Sequence, residues 1–420
     1  MRKILLAALL VVLVLVVAAL IAGHFTLAPT GEVSDSALPE AVDDALLTYF
    51  EEDYASSRAA FLAFLPGFRG RYQGVEAGAL KVPSQDSDDL TIDWIYIPAQ
   101  GTPRRVMILC SGIHGAEAPA GTAVLRQFMD QVLPSADLDE LSVLLVHALN
   151  PYGFAHMRRV SENNVDLNRN FDVSPSLFEQ KNPGYTAVSD TINPRGPVDL
   201  GSFTHRLYAE RAVYHIVSNG MAALRQAILY GQYEHPKGVY FGGTAFEPQR
   251  ALLEPLFKRV MADQEAILLI DLHTGYGIRG VLHLYPNVPA NDRIFADTEA
   301  VFAGHHIDWP QKDDSFYRIR GDFTDWVGRL VDLDRQRWIP MAFEYGTLDS
   351  QTTAGAIDSL HRTVLENQGY HYGYASPADR TEVERRYREM FFPSSPRWRS
   401  KILRDTAALW PGMLERFAAL

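Results

Sequence analysis

A histidine and a glutamate stand three residues apart in "GIHGAEAPAG", at His114 and Glu117, directly after the apolar run "RRVMILC". A second histidine, His273, sits with Asp271 in "IDLHTGYG", and Glu344 sits in "AFEYGT". Two imidazoles and a carboxylate make a catalytic zinc set, because three protein ligands leave one position open for water or a substrate carbonyl. Glu344 then suits a general base that takes a proton from the attacking water and passes it to a leaving nitrogen. The segment "MRRVSENNVDLNRNFD" adds Arg158, Arg159, Asp166, Asn168 and Arg169. Arginines at such a mouth stabilise an oxyanion or clamp a carboxylate.

These residues need elements to carry them. Four runs, 104–110, 141–149, 265–272 and 338–344, are almost continuously aliphatic, as expected of strands covered on both faces. Helical patterns lie between them, in "AGTAVLRQFMDQVL", "THRLYAERAVYHIVSNGMAALRQAIL" and "PQRALLEPLFKRVMADQ". That order predicts an α/β domain with a mostly parallel or mixed sheet flanked by helices, and ligands gather beyond the carboxyl ends of such strands. Each chemical cluster above follows one of the four runs. "LTIDWIYIPA" alternates as a half-buried strand does, and "LLTYFEEDYASSRAAFLAFL" has helical spacing that Pro66-Gly67 is expected to stop. The long stretch 172–243 holds several Gly and Pro turns, and within it "EQKNPGYTAVSDTINPRGPVD" reads as an ordered surface insertion able to wall a pocket.

The ends differ from the middle. Residues 4–23 hold twenty residues without a charge, about 30 Å as a helix, behind Arg2 and Lys3. Residues 1–23 therefore read as an uncleaved transmembrane signal anchor, since small residues do not pair at an A-x-A-like cleavage site. It would place the remainder on the extracytoplasmic side of the inner membrane, with the membrane as a partner. Residues 24–40 read as a linker, 41–370 as the catalytic domain, and 371–420 as a charged, amphipathic helical extension.

Composition excludes other classes. A net charge of -12 argues against a nucleic-acid partner. The single cysteine, Cys110, excludes an internal disulfide and a cysteine-rich zinc site.

The motifs together resemble the zinc carboxypeptidase (M14-like metallopeptidase) superfamily and its succinylglutamate-desuccinylase and aspartoacylase relatives, nearest to a bacterial DUF2817 subgroup. "GIHGAEAPAG", "NVDLNRNFD", "DLHTG", "FEYGT" and "GQYEHPKGVYFGG" carry the resemblance, from about residue 45 to 370. It implies one zinc per chain held by His114, Glu117 and His273, and Glu344 as catalytic base and acid. It assigns Arg159 to the tetrahedral intermediate, Asn168 and Arg169 to the substrate's carboxylate, and Asp166 to the second nitrogen of His114. Asp271 is expected beside His273. The activity implied is hydrolysis of an amide next to a free carboxylate, on peptides. Alternatives are deacylation of an N-acyl amino acid at the same zinc, or a non-enzymatic membrane-anchored binding domain. The family's substrate-contacting tyrosine has three candidates, Tyr276, Tyr317 and Tyr345.

Overall fold

Among the described residues, seven strands form one sheet: β1 (Glu76–Lys81), β2 (Thr91–Ile97), β3 (Arg105–Ser111), β4 (Leu141–His147), β5 (Ala266–Gly275), β6 (Leu282–Tyr285) and β7 (Arg337–Gly346). Their spatial order is β1-β2-β4-β3-β5-β7-β6. The structure is a computed structural model and describes residues 27, 29, 31–87, 89–287, 291–309 and 319–420. The four aliphatic runs are the four central strands, β4, β3, β5 and β7, and they pair in parallel. The flanks are antiparallel, through β2 against β4, β1 against β2, and β6 against β7. The sheet is therefore mixed.

Side chains alternate between two cores, as the strand period of two requires. Met107 and Leu109 enter one core; Val106, Ile108 and Cys110 enter the other. Both cores are apolar, so polar alternation disappears from the sequence of these strands. The buried Cys110 thiol is pushed up in pKa by that burial, as befits a packing residue.

The helices supply the two outer layers. Asp53 caps α1 (Tyr54–Leu62) by accepting the Ser56 N–H at 2.9 Å. The helical run ends at Leu62, before Pro66, which instead lies in the first turn of α2 (Leu65–Arg71), where a missing N–H costs nothing. After β3 the chain enters α3 (Ala118–Gln127). The insertion contributes α4 (Tyr208–Asn219) and α5 (Met221–Leu229), which meet at Gly220. Next come α6 (Pro248–Met261) and α7 (Phe323–Gly328). Last are α8 (Thr353–Tyr372), α9 (Pro377–Phe391) and α10 (Pro396–Ala418). Helices α3 and α10 cover the face bearing Met107, and α6 and α7 cover the face bearing Val106. Helix α10 is a full layer of the fold: Trp398, Ile402, Trp410 and Phe417 are buried in the same core as Met341 and Phe343.

One expectation is corrected here. No helix among the described residues is long and apolar enough to cross a membrane. The longest, α10, has a buried apolar face against the sheet and a charged outer face. The expected anchor over residues 4–23 lies outside the described residues. The transmembrane helix, the membrane partner and the single-pass extracytoplasmic location all depended on that one segment, and none is carried further.

Candidate metal centre

The site lies where β3, β5 and β7 end. Beyond β3 the backbone turns at Gly112, whose φ of +70° favours glycine. His114 follows, and Gly115–Glu117 forms one 3-10 turn leading into α3. A Cβ at Gly115 would lie 2.0 Å from the carbonyl carbon of Gly153, so only glycine lets this turn sit against the short helix Pro151–Ala155 after β4. From the other side, register decides. His273 on β5 and Glu344 on β7 are direct partners in the parallel ladder, so both side chains leave the same face of the sheet.

The two imidazoles are held alike. His114 Nε2 lies 3.2 Å from Asp166 Oδ1, and His273 Nε2 lies 2.8 Å from Asp271 Oδ2. Each ring turns its Nδ1 toward Glu117, at 2.8 Å from Oε1 for His114 and 3.1 Å from Oε2 for His273. A carboxylate on one ring nitrogen sets the tautomer and leaves the other nitrogen for a metal. The Thr274 N–H also donates to Glu117 Oε2, at 3.0 Å. Arg159 bridges the cluster, donating from Nη1 to Glu117 at 3.1 Å and from Nε to Asp166 at 2.9 Å. All three expected ligands are buried, and their ligand atoms lie within 4.8 Å of one another.

Two features show that these residues fit a cation. His114 Nδ1 is buried and makes no hydrogen bond among the described residues, although Glu117 Oε1 lies 2.8 Å away. Carboxyls also crowd the centre. Burial alone pushes Glu117 up, but the charge of His114 and the charge and hydrogen bond of His273 outweigh it and hold the group below the usual carboxylate range. Burial likewise opposes ionisation of Asp166, and Arg159, Arg169 and His114 reverse the balance. At Glu344 the charges of His273 and Arg159 and the Tyr276 N–H compensate only in part. Burial, then the charge of Glu117, pushes it up to about 8. Its Oε1 accepts the Tyr276 N–H at 2.9 Å. Two imidazole nitrogens and a carboxylate converging in one buried cluster are donors that suit zinc.

The other expected residues divide. Asn168 lines the cleft and accepts the Phe323 N–H at 2.8 Å through Oδ1. Arg169 is fully buried behind it, donating to the carbonyls of Leu229 and Asn168. Arg158 is turned away, paired with Glu366 at 2.7 Å and stacked on Tyr370. Tyr276 lines the cleft, Tyr345 is buried in the core bonded to Thr406, and Tyr317 lies outside the described residues.

Tyr240 escaped the sequence reading. Its ring lines the cleft, with Arg159 and Arg169 at 5.5 and 5.8 Å from the ring centre. Its φ of +53° is unusual for a bulky residue and marks a backbone the surrounding packing must hold. No local pattern signals that; the segment "GQYEHPKGVYFGG" carried only a resemblance.

The family described as protein of unknown function (DUF2817) matches residues 50–405. The chain belongs to the DUF2817 family. The subgroup read from the motifs is therefore met. No curated protein matches the chain. Solved structures do. Bovine thrombin-activatable fibrinolysis inhibitor is similar at 14% identity over 76% of this chain and 98% of that chain, with a TM-score of 0.44. Carboxypeptidase A from Helicoverpa armigera is similar at 12% identity over 78% and 75%, with a TM-score of 0.40. A succinylglutamate desuccinylase from Silicibacter is similar at 14% identity over 72% and 68%, with a TM-score of 0.34. Within this DUF2817 chain, the His114–Glu117–His273 set supports a zinc-dependent hydrolase.

Proposed function

We propose that the protein is a zinc-dependent metallocarboxypeptidase, hydrolysing an amide bond next to a free carboxylate. One observation carries the reading: Glu344 stands in register beside the ligand His273, in the same cleft. A carboxyl so placed can accept a proton and return it within one turnover. Zinc held by His114, Glu117 and His273 would supply Lewis acidity toward a carbonyl and a water. Glu344 takes the proton of the attacking water and delivers it to the leaving nitrogen. Arg159 is assigned to the negative charge developing on the carbonyl oxygen. Asn168 and Arg169 are assigned to the substrate's carboxylate. Arg169 is fully buried against the Leu229 carbonyl, so this assignment requires that bond to open.

Deacylation of an N-acyl amino acid is the second reading, favoured by the apolar part of the cleft described below. Both are tested by zinc content and by hydrolysis of N-blocked dipeptides and N-acyl amino acids. Glu344→Gln is expected to keep one zinc per chain and lose about 10²- to 10⁴-fold in kcat, the range for a lost acid–base group. Zinc-free protein at neutral pH, or a Glu344→Gln variant as active as wild type, sinks the proposal.

A further inference from the structure

The cleft lining changes character away from the metal centre. Ile216 on α4, Leu224, Ile228 and Leu229 on α5, and Ile357 and Leu360 on α8 all face it. Leu224 and Ile228, four apart, share one face of α5. Leu224, Ile228 and Ile357 are buried members of a separate core beneath the insertion, and the other three pack against that core. The wall is thus a supported apolar surface. Charge is sparse there. Asp322 caps α7 by accepting the Asp325 N–H at 2.8 Å, and Arg225 is a half-buried member of α5.

We infer that the site takes an amide carrying an extended apolar group, an aliphatic acyl chain or a large apolar side chain, lodged against α4, α5 and α8. This rests on the hydrolase reading above. The aliphatic side chains of this wall, set among Arg225, Ser359 and Thr363, offer no polar partner themselves, so they discriminate by apolar area removed from water, about fourfold per methylene.

The test uses the zinc-loaded full chain and two substrate series. One lengthens the acyl group of an N-acyl amino acid from acetyl to dodecanoyl; the other enlarges the last residue of an acetylated dipeptide from Ala to Leu to Phe. We expect kcat/KM to climb about fourfold per methylene in one series, which also tells which side of the amide meets the wall. Leu224→Asp should flatten that climb, and the milder Leu224→Ala should reduce it if the aspartate variant folds poorly. Rates independent of size in both series overturn the inference. So do rates that rise with an added acidic group and fall in Arg225→Gln. Calorimetry with zinc-loaded Glu344→Gln separates the two claims. Affinity that grows with chain length, without turnover by wild type, sinks the hydrolase and leaves the apolar wall standing. Turnover without size dependence does the reverse, and absence of any binding overturns the wall.

Discussion

Asp166 links the metal ligands to the arginine that braces them. One oxygen faces His114 Nε2 and accepts the Asn168 N–H at 3.1 Å, while the other accepts from Arg159. Asp166→Asn keeps the shape and removes the charge, and should weaken zinc binding about 10- to 100-fold, measured by competition with a chromogenic chelator. Affinity within twofold of wild type would mean that Asp166 does not tune His114. Glu344 makes a prediction of opposite sign for stability. Its carboxyl, up to about 8 when folded, is protonated in the metal-free fold at pH values where the unfolded chain has already ionised it, above about 4.3. The fold then binds more protons than the unfolded chain, so this group's stabilisation is present at low pH and is lost as pH rises through about 8. Urea midpoints of chelated protein should fall more steeply with pH in wild type than in Glu344→Gln. Equal slopes would refute the shift. The reactive residues were legible in the sequence because their types and their places after aliphatic runs are local facts. Tyr240 and the inward turn of Arg169 were not, because both depend on contacts with residues distant in the chain.

At the scale of elements, the turn between β3 and α3 sets the metal centre. Gly115→Ala would drive a Cβ into the Gly153 backbone and displace His114 and Glu117 together. It should destabilise the protein by roughly 1–3 kcal/mol, as overpacking does, and lower zinc affinity in the same variant, read by thermal melts with and without zinc. Full zinc affinity in a stable variant would show that the loop yields. The four central strands were legible because burial on both faces erases polar alternation. β6 was not, being four residues long and too short to show a period. The insertion was read as a pocket wall, yet the stretch singled out, "EQKNPGYTAVSDTINPRGPVD", supports the wall from behind. Tyr185, Val188 and Ile192 pack beneath α4 and α5, and those helices face the cleft.

For the whole molecule, α10 ties the C-terminus to the strand carrying Glu344. Trp410 packs edge-on against Phe128, ring centres 5.0 Å apart, and tilted by 30° against Phe343 of β7 at 5.4 Å. The Trp398 indole N–H donates to the Gly346 carbonyl at 2.8 Å, where β7 ends. Trp410→Ala should cost about 3–5 kcal/mol by chemical denaturation, the range for a large aromatic lost from a core. A loss below about 1 kcal/mol would mean that α10 is dispensable to the fold. From sequence alone the same segment reads only as an amphipathic helix, because amphipathicity records that one face is covered and not by what.

The sequence by itself determined the ligand types, the strands that deliver them and the family's motifs, since burial period and residue chemistry are written locally. Tertiary structure decided the remainder. It set His273 beside Glu344, closed Asp166 and Arg159 onto the His114–Glu117 turn, drew Arg169 to a carbonyl of the insertion, and lined the cleft with α4, α5 and α8. Each of these is a distance between segments far apart in the chain, and only packing of the completed cores sets such distances.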